Sequence, residues 1–366
     1  MDFFGDIVKP TLVLNPQHAR SNIASMAEKA NAQSIRFRPH FKTHQSAAIG
    51  EWFRAAGTAC ITVSSVDMAV YFASHGWDDI TIAFPVNLRQ MDAISALARK
   101  IHLGLLVESP GSAAALQERL DGPADIWIKI DTGSHRTGIP WDQPGAVQAV
   151  ISPIKCTPNL TLRGLLTHAG HTYAASSPDE IRRIYNETLQ RLQTLRDTLG
   201  CGLEISVGDT HACSVVQDLS GVDEIRPGNF IFYDAEQYLL GSCTWEEVAV
   251  AVACPVAALH PEREEVVVYG GAIHLSKDFM EYQGRPAYGL VALPEGDHWG
   301  GALAGAYVRS LSQEHGVVHI PASALKNIQV GDLLFVIPAH SCLTITALGR
   351  YRTLSGEIIL TMNVES

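Results

Sequence analysis

From residue 35 to about residue 230 the chain alternates short apolar, strand-like runs with segments of helical period, and this alternation restricts its fold more than any other feature. The strand-like runs are 35–41, 60–64, 80–84, 102–107, 125–130, 163–168, 204–207 and 223–226. Helical periodicity fills the spaces at 45–56, 66–74, 87–99, 110–119, 142–152 and the strongly amphipathic 178–198, with an earlier helix over 17–31. A helix between two strands returns the chain to the same end of the sheet, so repeated units build parallel pairs. Eight of them predict an α/β protein with an N-terminal (β/α)8 barrel, a fold that gathers functional groups at the C-terminal strand ends. Lys42, Asp131, His168, Gly208 and Arg226 all fall at or just past such ends.

Beyond about residue 245 the texture changes to β-branched and alternating runs, such as 247–253, 264–268, 333–337 and 357–363, broken by Gly and Pro. This predicts a C-terminal antiparallel β domain. The segment 10–14 is also strand-like and is expected to pair with it. The expected division is a barrel over 13–245 and a β domain over 246–366 that includes the N-terminal strand within 1–12.

A net charge of −11 with only 27 Lys and Arg lacks the positive footprint that nucleic acid or an anionic membrane requires. Small molecules and other protein chains are the expected partners. No apolar run of membrane-spanning length and no signal-peptide pattern is seen, so the chain reads as soluble and cytoplasmic. Seven scattered cysteines without a C-x-x-C pair fit reduced thiols. Most read as small buried hydrophobes, with Cys213 and Cys342 set apart by their neighbours.

Five strand ends carry chemistry. Lys42 stands in Arg38-Pro39-His40-Phe41-Lys42-Thr43-His44 at the end of the first strand. Desolvation and cationic neighbours, here Arg38, His40 and His44, favour the neutral amine that attacks a carbonyl to form a Schiff base. After the fifth strand, Asp131-Thr132-Gly133-Ser134-His135-Arg136-Thr137-Gly138 allows a tight turn that aims Arg136 at an anionic oxygen. After the sixth, Thr167-His168-Ala169-Gly170-His171-Thr172-Tyr173 suggests a lined pocket. The seventh and eighth lead into Ser206-Val207-Gly208-Asp209-Thr210-His211 and Arg226-Pro227-Gly228-Asn229, small residues where barrels bind phosphate. A lysine opposite a phosphate site describes a phosphorylated aldehyde cofactor.

These runs, with EIRPGNFIFYD, GGAIHLSKD, LSQEHG and PAHSC, occur in an order that resembles the pyridoxal-phosphate enzymes with an alanine-racemase-like fold, fold type III. Within them the chain is similar to the D-serine dehydratase and D-threonine aldolase group. The resemblance implies pyridoxal 5′-phosphate bound to Lys42, Arg136 near its phenolic oxygen and His168 against its ring. It further implies Ser206, Gly208, Thr210, Gly228 and Asn229 around the phosphate, with Tyr173 or Arg226 facing the pyridine nitrogen. Asp209 departs from the small hydroxylated residue expected after Gly208, and an acid beside a phosphate is unfavourable unless its side chain turns away.

Within Pro338-Ala339-His340-Ser341-Cys342, positions two apart on an extended segment share a face, so an imidazole and a thiolate can grip one metal ion. The resemblance makes His340 and Cys342 a divalent metal site, and the thiolate suits zinc. The aldolases carry His and Asp at this pair, so Cys342 favours a dehydratase. His315 reads as structural, and Lys277 and Asp278 as a loop beside the site or at a subunit contact. The expected activity is a lyase reaction, dehydration of a D-3-hydroxy amino acid such as D-serine or D-threo-3-hydroxyaspartate to a 2-oxo acid and ammonia. The alternative is a D-threonine-type aldolase that yields glycine and an aldehyde. An amino-acid racemase and a non-catalytic carrier of the cofactor rank below both. A homodimer follows from the resemblance.

Overall fold

In the computed structural model, residues 4–200 and 202–365 are described, which leaves Cys201 outside the described residues. Parallel strands run Arg36–Phe37, Ile61–Val63, Asp79–Pro85, His102–Val107, Ala124–Asp131, Leu160–Leu166, Glu204–Val207 and Glu224–Ile225. Each from the second onward pairs with the next in sequence, and the eighth pairs with the first. A parallel bridge between His40 and Thr62 joins the first to the second, so the expected eight-stranded barrel is closed. Strands six and seven approach so tightly that a Cβ at Gly164 would overlap the Glu204 carbonyl oxygen. Three of the helices between the strands begin on serine caps that satisfy otherwise orphaned amides. Ser65, Ser109 and Ser177 accept from the Met68, Ser112 and Glu180 amides, and Gly200, in the left-handed region at φ 64°, ends the helix Pro178–Leu199.

Charged residues near the strand starts form a closed circuit around the barrel base. Arg36 bridges Glu204 and Glu224 at 2.8 and 3.2 Å, and Arg38 bridges Glu224 and Asp79 at 2.6 and 2.5 Å. His102 lies 3.3 Å from Asp79 and 2.9 Å from Asp125, and Arg163 returns from Asp125 to Glu204 at 3.9 and 2.7 Å. Glu224 links this circuit to the interior, because its other oxygen accepts from Ser206 Oγ at 2.7 Å and Ser206 accepts from Arg226 Nε at 2.7 Å. Buried apolar side chains also pack within the barrel, with Leu106, Trp127 and Leu166 clustered together.

Past strand seven, Asp209 caps the short helix Thr210–Val215 by accepting from the Ala212 amide at 2.7 Å and Thr172 Oγ1 at 3.1 Å. Burial pushes its carboxyl up to about 6. Cys213 in the same helix is 1% exposed, and burial pushes its thiol up to about 12. It is a buried hydrophobe like the other core cysteines and not the distinctive thiol its sequence neighbours suggested.

The barrel belongs to one compact unit, Ala24–Lys42 with Ile49–Gly228, and the second unit comprises residues up to Ile23, Thr43–Ala48 and those from Asn229 onward. In the second unit the antiparallel strands Glu265–Tyr269, His315–His319, His298–Leu311, Gly289–Glu295, Leu333–Pro338 and Val250–His260 follow one another around a closed path, the last pairing back to the first. Thr11–Leu14 adds to Val250–His260 on one side and to Arg350–Thr353 on the other. Among the described residues no helix is long and apolar enough to cross a membrane.

Glu224 has a fully buried side chain, and its loss leaves Arg38, 5% exposed, without the buried one of its two counter-charges. Glu224→Gln is expected to destabilise the protein by about 3–5 kcal/mol in equilibrium denaturation. Asp209 has a folded-state pKa near 6 against an ordinary 3.8, so it favours the fold below about pH 4 and that contribution is lost as pH rises through 6. Asp209→Asn keeps the accepting oxygen, and its stability relative to the parent is expected to improve between pH 4 and 7, by an amount of order 3 kcal/mol.

Candidate functional site

Lys42 lies in the turn that follows strand one, where the backbone has left the sheet. On its N-terminal side Phe41 is fully buried among Phe53, Phe72 and Trp77, with ring centroids 4.9, 4.9 and 5.0 Å away. On its C-terminal side Thr43 is also fully buried. The half-buried lysine is therefore held between two buried neighbours. The expected source of positive potential is corrected. Arg38 is neutralised by Glu224 and Asp79, burial drives the His44 imidazole down to about 3, and desolvation keeps His40 well below its ordinary value. The cations that act together with Lys42 on His40 and His168 come from elsewhere in the barrel: Lys129, Arg136 and Arg226.

Arg226 is 4% exposed and remains fixed by bonds from Nε to Ser206 Oγ and from Nη2 to the Thr167 carbonyl at 2.5 Å, with Nη1 the one guanidinium nitrogen lacking a hydrogen bond among the described residues. Arg136 is exposed and has neither hydrogen bond nor ion pair among the described residues, so its fork is available to an anion. His168 donates from Nδ1 to the Gly208 carbonyl at 2.6 Å, which leaves Nε2 as the acceptor of a neutral ring. A Cβ at Gly208 would lie 2.9 Å from the Arg226 backbone, so bare backbone is required where strands seven and eight converge. Tyr173, in the turn Gly170–Ala174, packs edge-on against His211 at 4.4 Å and lies 6.2 Å from the His168 ring.

Two proposed phosphate partners are occupied otherwise. The Ser206 hydroxyl is fully buried between Glu224 and Arg226, and the Asn229 amide donates to Asp234 and accepts from the Ser341 hydroxyl. Thr210 opens the helix that Asp209 caps, and Gly228 precedes Asn229 at the close of the barrel unit. The Asp209 carboxylate does turn away, into its cap and Thr172. Lys129 escaped the sequence reading. It is 5% exposed, and burial together with Arg226 and Arg136 brings its amine down to about 7. The signal was a lysine inside the apolar run Ile126-Trp127-Ile128-Lys129-Ile130, on the face shared with Trp127 and Asp131.

In the second unit His340 and Cys342 do come together, though not on an extended strand. The strand ends at Pro338, His340 is the N-cap and Cys342 lies in the first turn of the helix Ser341–Leu348. The helix start brings the two side chains within hydrogen-bonding reach of each other. Burial opposes charge on the His340 ring, yet Cys342 and Asp234 hold its pKa well above the ordinary value. Asp234 is fully buried, and its Oδ2 receives Asn229 Nδ2 at 2.5 Å, the Ser341 amide at 3.0 Å and His340 Nδ1 at 3.2 Å, while Oδ1 receives the Gln237 amide at 3.0 Å. It thereby orients the imidazole through Nδ1, as partners of metal-binding histidines do. Glu236 joins Asp234 and His340 with donor atoms within 4.8 Å of one another, and burial plus Asp234 pushes its carboxyl up to about 8. Sequence reasoning missed both acids, although Asp234 closes the EIRPGNFIFYD run. His315 and Lys277 are exposed.

The residues fit the two groups that the resemblance implies. An amine on an anchored turn, an unpaired Arg136, a neutral His168 and bare backbone at Gly208 suit an anionic aldehyde cofactor. Imidazole and thiolate donors, with a carboxylate orienting the imidazole, suit a borderline-soft divalent ion.

A family model described as "Alanine racemase, N-terminal domain" matches residues 14–236, and one described as "Putative serine dehydratase domain" matches residues 249–354. The D-threo-3-hydroxyaspartate dehydratase of Delftia sp. (strain HT23) is 29% identical over 362 residues, 95% of this chain and 94% of the relative. Its solved structure superposes with a TM-score of 0.88 at 26% identity, covering 99% of both chains. A cysteine-to-alanine mutant of a D-threo-3-hydroxyaspartate dehydratase, solved in the metal-free form, gives a TM-score of 0.89 at 25% identity, again covering 99% of both chains. The D-serine dehydratase of Dictyostelium discoideum is 25% identical over 97% of this chain and 95% of its own, and the D-threonine aldolase of Arthrobacter sp. 22% over 90% and 85%. The first of the two family models alone spans more than half of the sequence, and the protein belongs to the alanine racemase N-terminal domain family.

Proposed function

We propose that the protein is a pyridoxal-phosphate-dependent, metal-assisted dehydratase that converts a D-3-hydroxy amino acid to a 2-oxo acid and ammonia. The observation that carries this reading is the hydrogen-bonded His340–Cys342 pair, oriented by Asp234, whose sulfur lies 3.3 Å from the hydroxyl of Thr43, the residue after Lys42. When bound, pyridoxal phosphate supplies an electron sink for the bond broken at Cα, and the metal a Lewis acid for the departing β-hydroxyl.

Lys42, anchored through Phe41 and Thr43, removes the Cα proton with its Nζ and can do so from one face alone, which selects the D configuration. His168 keeps its Nδ1 proton on the Gly208 carbonyl and presents an unprotonated Nε2, so it offers no competing acid at the ring it lines. Arg136 would meet the cofactor's phenolic oxygen, and Arg226 or Tyr173 would face its ring nitrogen. His340 and Cys342 hold the cation, and the soft sulfur favours zinc over magnesium or manganese. The two dehydratases aligned over nearly the whole chain support this choice over aldol cleavage. Six free cysteines among the described residues support a reducing, cytoplasmic compartment, and the family resemblance supports a homodimer, which light scattering tests.

The deciding assay incubates the yellow, metal-loaded protein with D-serine, D-threonine and D-threo-3-hydroxyaspartate, with and without chelator. A 2-oxo acid and ammonia, lost on chelation and restored by Zn²⁺, are expected. Glycine with an aldehyde would replace the dehydratase by an aldolase. Lys42→Ala is expected to be colourless, to form no borohydride-reducible adduct and to lose about 10²–10⁴-fold in turnover. An adduct that survives in this variant would move the cofactor lysine elsewhere.

A further inference from the structure

Thr43 raises a question that the cofactor lysine beside it does not answer. Its side chain is fully buried, and the hydroxyl has a single hydrogen-bonding partner among the described residues, Cys342 Sγ at 3.3 Å. A buried hydroxyl ordinarily turns to a backbone carbonyl, the strongest neutral acceptor available. A sulfur is a poor acceptor while it carries a proton and a good one once it is a thiolate, when the contact becomes charge-assisted. A thiolate accepts only, so the hydroxyl must be the donor.

We propose that Thr43 is a positioning residue for the Cys342 sulfur: its hydroxyl holds the thiolate in its metal-binding rotamer and withdraws charge from it. The proposal rests on the reading that His340 and Cys342 hold a metal ion. Each ligand then has an outer partner of matching polarity, since Asp234 accepts from His340 Nδ1 and Thr43 donates to Cys342 Sγ. The partner of the thiolate is joined by one peptide bond to Lys42. A side-chain hydrogen bond to a metal thiolate lowers the energy of its lone pairs, which has a spectroscopic signature that packing alone lacks.

Co²⁺ reads this out, through chelator competition for affinity and through the thiolate-to-cobalt charge-transfer band. Thr43→Val keeps the shape and removes the donor. Its Co²⁺ affinity is expected to fall about 10–100-fold, as for other outer partners of metal ligands. The band is expected to move to lower energy while far-UV circular dichroism and cofactor absorbance are retained. Thr43→Ser is expected to restore both affinity and band. Thr43→Ala gives the same comparison if the valine variant does not fold. A Val or Ala variant with the parent's affinity and band overturns the proposal, as does a Ser variant that behaves like Val. A parent protein with no thiolate–cobalt band overturns the metal reading itself, and this proposal with it.

Discussion

The carboxylate of Glu224 accepts from Arg38 on one oxygen and from Ser206 on the other, with Arg36 alongside, and the barrel depends on it. Strand eight is only Glu224–Ile225 and strand one only Arg36–Phe37, too short for backbone pairing alone to fix how they meet. The ionic contacts set that register, and in a desolvated interior a wrong register would strand a charge, which costs more than the pair gains. The same carboxylate steadies Ser206, which steadies Arg226, whose backbone crowds Gly208, whose carbonyl fixes the tautomer of His168. The chemistry at the mouth thus inherits its geometry from an ion pair at the base.

The molecule is acidic overall, yet the open end of its barrel collects Lys42, Lys129, Arg136 and Arg226 while the imidazoles among them stay neutral. The guanidinium groups in this low-dielectric mouth attract anions strongly, and rings that stay neutral add no proton-dependent charge of their own. A phosphorylated cofactor and a carboxylate substrate are both anionic. The acidic exterior does not oppose their capture at close range, because salt screens it within about a Debye length.

Much of this was legible in the primary structure. The eight strands lie within a few residues of where apolar runs placed them, and the helix 110–119 matches Pro110–Arg119 because a serine cap and a proline mark its start. The strands Gly289–Glu295 and His298–Leu311 gave no signal. Their Gly- and Ala-rich stretches lack alternation, and register shifts between Leu290 and Ala292 and again before Pro294 break the period of two. In the site, residue types were easier to find than their states. Arg38, His40 and His44 looked like a positive cluster because a sequence cannot show a partner 186 residues away or the loss of water around a ring. The partners that take up the Ser206 and Asn229 side chains were equally out of sight. Asp234 was invisible as an orienting group because its meaning lies wholly in four donors brought to it by folding.

The strand Thr11–Leu14 lies between Val250–His260 and Arg350–Thr353, and that placement bears on the birth of the molecule as well as its final form. A chain is made from its N-terminus, so this apolar segment leaves the ribosome long before either partner exists. At about 5–20 residues per second it waits on the order of ten seconds or more for the first and longer for the second. During that time the parallel barrel can assemble from neighbours in sequence, whereas the antiparallel barrel cannot close its extension. Vectorial synthesis therefore orders the two units in time, and it leaves an exposed Thr11-Leu12-Val13-Leu14 edge as the segment most in need of protection until translation ends.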